Sequence, residues 1–238
     1  EAPGLVDDLG FTIASLPGDV TPKWVFGVGL AMYDALAGRW HHQKLSQAEL
    51  LARHPVLANA GALGGYRYHD AQTDDARLVL RVLDQAVRAG GIALNYAHVD
   101  SLLRTAEGRV SGVRLRDAAP GPATGQTIEL TAKVTINATG AWADDLRVQA
   151  GATPRMRKIR GSHLTFTRDR LPLHEALCLF HPDDGRAVFA VPWEGVTIFG
   201  TTDQDHSTSM ADEPRISDEE VEYLLRAVQR AFPSQAID

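Results

Sequence analysis

The chain has 238 residues, 44% hydrophobic and 23% charged, enough for one large globular domain or two small ones. A net charge of -6 gives no broad attraction to nucleic acid or anionic lipid, and no run of about 18 apolar residues suits a membrane-spanning helix. The single Cys178 excludes an intrachain disulfide and a multi-cysteine metal site, and fits a reducing compartment.

The chain opens at Glu1 in a Pro- and Gly-containing stretch and stops at "FPSQAID"; it reads as an excerpt of a longer protein. Thr21-Pro22 predicts a helix start, with Thr21 as N-cap and Pro22 in the first helical position. Trp24, Val28, Met32 and Leu36 recur at helical spacing, the pattern of a core helix, and Gly38 predicts its end. Ser46 and Glu49 form a capping box before "LLARH", which Pro55 stops. "GGYRYHD" reads as a short strand. Thr73 or Asp74 then caps "DARLVLRVLDQAVRA", whose apolar face includes Leu78, Val82 and Val87 and which Gly90-Gly91 ends.

From there the period changes. "IALNYAHVDSLLRT", "RVSGVRLRD" and "TIELTAKVTINAT" read as strands separated by "EG" and "PGPATG" turns. A helix is predicted over 141–150. "SHLTFTR", "ALCLFH", "AVFAVPW" and "VTIFGTT" then predict four antiparallel strands in a separate sheet over 160–202. Ser217 and Glu220 cap a last helix, "EEVEYLLRAVQRAF", closed by Pro233. The fold class expected is mixed α/β (α+β).

Several motifs bear on chemistry. Gly27-Val28-Gly29-Leu30-Ala31-Met32 nearly matches a dinucleotide-binding fingerprint but is rejected: a helix precedes the glycines and Met32 stands where a small residue is needed. His41-His42 has no third ligand nearby, so a solvated pair is expected and no metal. His69 and Asp70 either position the turn before the next helix or touch a cofactor. No G-x-S-x-G elbow is present, and Cys178 has apolar neighbours.

Asn137-Ala138-Thr139-Gly140 leaves room for close backbone approach ahead of a helix N-terminus; an ordinary strand-to-helix turn explains it equally. Arg155, Arg157, Lys158 and Arg160 precede Gly161-Ser162-His163 and either attract an anionic substrate or form a solvated basic strand. His163 is suited to proton transfer near neutral pH. Thr201, Thr202 and Asp203 crowd hydroxyls and a carboxylate at a strand end, as a ligand site or as a hydrogen-bonded turn.

"YDALAG", "YHDAQTDDARLVL", "INATGAWADDL", "RGSHLTF" and "VPWEGVTIFGTTD" occur together in the order expected of FAD-dependent glycerol-3-phosphate dehydrogenase. The chain resembles that family from about residue 24 to its end. The resemblance implies part of a glutathione-reductase-like FAD domain plus an antiparallel-sheet substrate domain. Residues 1–70 would be a helical segment with the first strand of the substrate domain, 71–150 the remaining part of the FAD domain, and 151–238 the substrate sheet with its C-terminal helix. The family's G-x-G-x-x-G loop would lie before residue 1, and further substrate and flavin motifs after residue 238.

By the same resemblance, Asn137, Ala138, Thr139 and Gly140 line the FAD site, and His98 and Val99 approach the adenine through their backbone. His163 is the catalytic candidate, with Arg160, Thr201, Thr202 and Asp203 on the substrate side. The implied reaction oxidises sn-glycerol 3-phosphate to dihydroxyacetone phosphate, with hydride passing to FAD and electrons to quinone. The implied location is cytoplasmic, peripheral on the inner face of the cell membrane. Without the glycine loop the isolated chain is expected to hold no FAD and to be inactive. The alternatives are another flavin oxidase, acting on amines or amino acids, and a non-catalytic binding module.

Overall fold

The structure, a computed structural model, describes residues 4–122, 124–206 and 214–235. Ala123 of the expected "PGPATG" turn and the end of "FPSQAID" lie outside the described residues. In chain order the strands are β1 (Val6–Ala14), β2 (Gln43–Leu45), β3 (Gly65–Thr73), β4 (Ala97–Arg104), β5 (Val110–Asp117), β6 (Thr127–Thr131), β7 (Ile159–Arg160), β8 (His163–Thr167), β9 (Ala176–Phe180), β10 (Ala187–Trp193), β11 (Val196–Gly200) and β12 (Gln204–Asp205). The helices are α1 (Lys23–Ala37), α2 (Gln47–Arg53), α3 (Asp75–Arg88), α4 (Ala143–Gln149) and α5 (Asp218–Ala231), with 3-10 turns at Pro55–Ala60 and Gly140–Trp142. The fold is mixed α/β. The chain forms two compact units, one of residues 1–75, 159–204 and 213–238, the other of 76–158 and 205–212.

The first unit is built on a seven-stranded sheet in the order β2-β3-β1-β9-β10-β11-β8. The four late strands are antiparallel to one another, as the short loops containing "DDG" and "EG" between them predict. They do not form a sheet of their own. β1 runs parallel to β9 and antiparallel to β3, joining early and late segments. The sequence reading leaves β1 out, and the reason is physical. Its large side chains, Leu9, Phe11 and Ile13, are only half-buried, while Gly10, Thr12 and Ala14 take the buried face. The period of two over residues 9–13 marks Leu9, Phe11 and Ile13 as the inward face, the opposite of the one the fold buries.

Beneath the sheet, Leu50, Leu57, Leu171, Leu177, Leu179, Val188 and Phe199 pack with Leu224, Val228 and Phe232 from the α5 end of the chain. Each such side chain stabilises the fold by roughly 1.5–3 kcal/mol relative to exposure. Both expected capping boxes are present, at Ser46/Glu49 and Ser217/Glu220.

α1 starts one residue later than expected, at Lys23, with an extended Pro22 as N-cap; it ends at Gly38. The core-helix reading needs correcting. Trp24, Val28, Met32 and Leu36 are exposed, and Leu30 and Asp34 are the buried positions. The inward face is set by Gly27 and Phe26. A Cβ at Gly27 would lie 2.7 Å from the Tyr66 hydroxyl, so glycine lets the helix approach β3 closely. Phe26 stacks on Phe180 at 4.9 Å. The near-fingerprint glycine therefore serves helix packing.

The second unit holds an antiparallel meander, β4-β5-β6. α4 lies against β4, where Leu102 N donates to Gln149 Oε1 at 3.0 Å. The expected strands here are shortened. Residues 92–96 and 132–139 are not strand. Ile92, Val134 and Ile136 are all at least 75% exposed. A β-branched run becomes a strand by pairing, and no described strand pairs with either segment. The helix expected over 141–150 appears as the Gly140–Trp142 turn followed by α4.

Candidate functional site

In the first unit, the sheet places the G-S-H and G-T-T-D segments side by side. β8 forms the sheet edge and pairs antiparallel with β11, with His163 opposite Gly200. The His163 ring is exposed, yet neighbouring protein desolvates it enough to lower its pKa. It is therefore neutral near pH 7 and able to accept a proton.

Behind His163 lies a network that sequence reasoning did not reveal. Thr202 Oγ1 donates to Glu220 Oε1 at 2.6 Å, Ser162 Oγ donates to the same oxygen at 2.9 Å, and Arg160 Nη2 donates to Oε2 at 2.6 Å. Ser162 N donates to Thr202 Oγ1 at 2.9 Å. Glu220 is 3% exposed. Burial alone would raise its pKa; donors from Thr202, Ser217, Ser162 and Arg160 outweigh that and hold the carboxyl at about 2. Arg160 is thus already paired, and the Thr202 hydroxyl is used on both sides. Thr201 Oγ1 donates to Thr202 O, and Asp203 faces Arg186 at 3.4 Å. The one sequence signal of Glu220 was its Ser-x-x-Glu cap.

In the second unit, Asn137 braces its own turn. Its Nδ2 donates to Ala143 O at 2.8 Å, and its Oδ1 accepts from Thr139 N and Oγ1. Gly140 has φ +57, the left-handed conformation in which glycine carries no strain, and no heavy atom lies within 4 Å of where its Cβ would be. Ala138 is small and exposed. The turn is therefore held open from within. His98 and Val99 lie on β4, opposite Arg116 and Leu115 of β5. His98 Nδ1 is 2.9 Å from Asp100 Oδ1, and the Arg116 hydrogen bond lowers the Asp100 pKa.

His42 is not the solvated residue expected: its Nδ1 lies 2.7 Å from Oδ2 of buried Asp34, which also accepts the backbone N–H groups of His41 and His42. His69 and Asp70 sit within β3, lining a cleft of about 370 Å³ with Asp8, Tyr33, Arg39 and His41. Among the described residues no group of three His, Cys, Asp or Glu is arranged to hold a metal ion. Cys178 is buried, which pushes its thiol up to about 12 and leaves it unreactive.

The model of the FAD dependent oxidoreductase family (DAO) matches residues 27–238. The chain is 34% identical over 226 residues to an alpha-glycerophosphate oxidase of Streptococcus pyogenes, covering 92% of this chain and 36% of the relative. It is 34% identical over 236 residues to the aerobic glycerol-3-phosphate dehydrogenase of Bacillus subtilis, covering 91% and 41%. The chain thus spans less than half the length of these curated relatives. The glycerol-3-phosphate dehydrogenase of Bacillus halodurans, solved in complex with FAD, superimposes with a TM-score of 0.80 at 30% identity, over 100% of this chain and 42% of that one. An L-proline dehydrogenase from P. horikoshii shares the fold at a TM-score of 0.73 and 14% identity.

Proposed function

Since this chain belongs to the FAD-dependent oxidoreductase family, we propose that it is the middle portion of an enzyme that oxidises sn-glycerol 3-phosphate to dihydroxyacetone phosphate. The observation that carries this reading is the pairing of His163 with Gly200, which sets G-S-H beside G-T-T-D at one sheet edge. The 34% identity to two relatives named for glycerophosphate oxidation supports it.

In this reading His163, neutral near pH 7, accepts the proton of the substrate's secondary hydroxyl. Thr201 and Asp203 stand on the substrate side with it. Arg160 and Thr202 act there through their bonds to Glu220. In the second unit the open N-A-T-G turn fits a bulky cofactor, because Gly140 and Ala138 leave space and Asn137 holds the backbone. His98 and Val99 would lend backbone contacts to the adenine end. When bound, FAD would accept the hydride from the substrate carbon. Val134 and Ile136, exposed here, are surface that the rest of a complete flavin domain would cover. The proposed domain division is the one expected from sequence: 1–70, 71–150 and 151–238.

The test is steady-state turnover of the full-length enzyme with glycerol 3-phosphate and a dye acceptor. His163→Ala should lower turnover by about ten- to ten-thousandfold while FAD content stays normal. Unchanged kinetics would reduce His163 to a structural residue. Amines and amino acids should be poor substrates of the wild type.

For the acceptor, we infer quinone at the inner face of the cell membrane, reached by a cytoplasmic enzyme resting on the bilayer. No described helix is long and apolar enough to cross a membrane. The apolar surface assigned to the bilayer in this reading is the exposed stripe of Trp24, Val28, Met32 and Leu36 on α1. Met32→Glu should weaken cosedimentation with liposomes; equal binding by the variant would remove α1 from that role.

A further inference from the structure

Glu220 reads in the sequence as the third residue of a helix cap, a local role on α5. Its carboxylate does more than the cap requires. Of the four donors it accepts, only the Ser217 N–H, at 3.0 Å, belongs to the cap. The other three come from Arg160, Ser162 and Thr202, which are 60, 58 and 18 residues away along the chain.

We propose that Glu220 is a positioning residue, which fixes the Gly161-Ser162-His163 turn against the Thr201–Thr202 strand end. Ser162 is held from both faces of its peptide. Its N–H donates to Thr202 Oγ1 at 2.9 Å, its carbonyl accepts from Thr202 N at 3.2 Å, and its hydroxyl donates to Glu220 Oε1 at 2.9 Å. Thr202 Oγ1 is itself oriented by its 2.6 Å bond to the same Glu220 oxygen. Ser162 is bonded directly to His163, so its backbone sets where the imidazole starts. On the other carboxylate oxygen, Arg160 supplies the compensating charge for a nearly fully buried carboxylate. Glu220→Gln keeps one acceptor oxygen for four donors and sets an amide NH2 against the others, Arg160 Nη2 and Ser217 N if the oxygen stays at the Oε1 position, in a site with little water, and the turn must then rearrange. This inference rests on the assignment of His163 to the substrate side.

The test uses the FAD-loaded full-length enzyme with Glu220→Gln, Thr202→Val and Ser217→Ala. Melting temperature, kcat and KM for glycerol 3-phosphate, and the NMR ring resonances of His163 are measured. Ser217→Ala removes the capping hydroxyl that accepts from Glu220 N and spares the three long-range bonds. It should lower the melting temperature while kcat and the His163 resonances stay at wild-type values. Glu220→Gln should shift those resonances and lower kcat about tenfold or more, with KM little changed. Thr202→Val removes the hydroxyl that bridges Ser162 and Glu220, and should act in the same direction even if Glu220→Gln does not fold. If both variants only melt earlier, with His163 resonances and kcat unchanged, Glu220 is a cap and nothing more. If the resonances shift but neither these variants nor His163→Ala changes kcat, the positioning stands and the catalytic assignment of His163 falls.

Discussion

Helices α3 and α5 are both 14 residues long, and each carries a distinct apolar face. α5 buries Leu224, Ala227, Val228 and Ala231. α3 buries nothing: Val79, Leu80, Val82, Leu83 and Val87 are all exposed. The same contrast holds for the units that contain them. The first has a core of leucines, valines and phenylalanines; in the second, Leu115 is the only buried hydrophobic side chain among the described residues. An amphipathic face states a need for a partner and does not say whether one is supplied. The first unit supplies it from strands and helices far apart in sequence. The second depends mainly on the hydrogen-bonded ladder of its meander.

The largest test of this contrast is a pair of truncations. Leu224→Ala, at a site with 0% exposure, should cost about 2–5 kcal/mol in urea unfolding of the chain. Leu80→Ala in α3, at 64% exposure, should stay within about 0.5 kcal/mol. Equal losses would mean that α3 is covered in solution and would break the comparison.

Acid sharpens it next. Burial lowers the His54 pKa from 6.5 to about 4, and its Nε2 lies 3.0 Å from Thr12 Oγ1 in the first unit. The folded state disfavours the protonated ring, so this stability is fully present above pH 6.5 and falls as pH drops towards 4. The loss by pH 4 is on the order of 3 kcal/mol. Glu220 adds a second decline below its ordinary 4.5, towards about 2. In the second unit, Asp100 and Asp144 have lowered pKa values, so their contributions begin to fall only near the ordinary 3.8. Hydrogen exchange between pH 6.5 and 4 should therefore loosen the first unit more than the second. His54→Gln should flatten that slope, and an unchanged slope would reassign it.

The smallest effect concerns the open turn of the second unit. Gly140→Val introduces a β-branched residue at φ +57, costing on the order of 1–3 kcal/mol of local strain. In the full-length enzyme this should lower FAD retention on gel filtration with little change in far-ultraviolet circular dichroism. Normal flavin occupancy would withdraw the turn from the cofactor site.

The pieces legible in the sequence were those encoded within a few residues. The Ser46/Glu49 and Ser217/Glu220 boxes, the Gly38 stop and the short apolar runs and tight loops of β8 to β11 each rest on near neighbours in sequence. So does the positive φ available to Gly140. The motif order pointed to the flavoprotein family for the same reason, since each motif is a short run read in place.

Tertiary structure decided what each surface met. Only the fold could bury Gly10, Thr12 and Ala14 of β1 in place of Leu9, Phe11 and Ile13. Only the fold could turn the α1 stripe outwards, cover α5 and leave α3 bare. Likewise, a capping glutamate became the shared acceptor of Arg160, Ser162 and Thr202 because strands β8 and β11 brought their ends to α5. Capping and turn chemistry are satisfied within a few residues, so the chain writes them locally. Burial and long-range hydrogen bonds are relations between elements, and they exist only once the sheet has set which elements are neighbours.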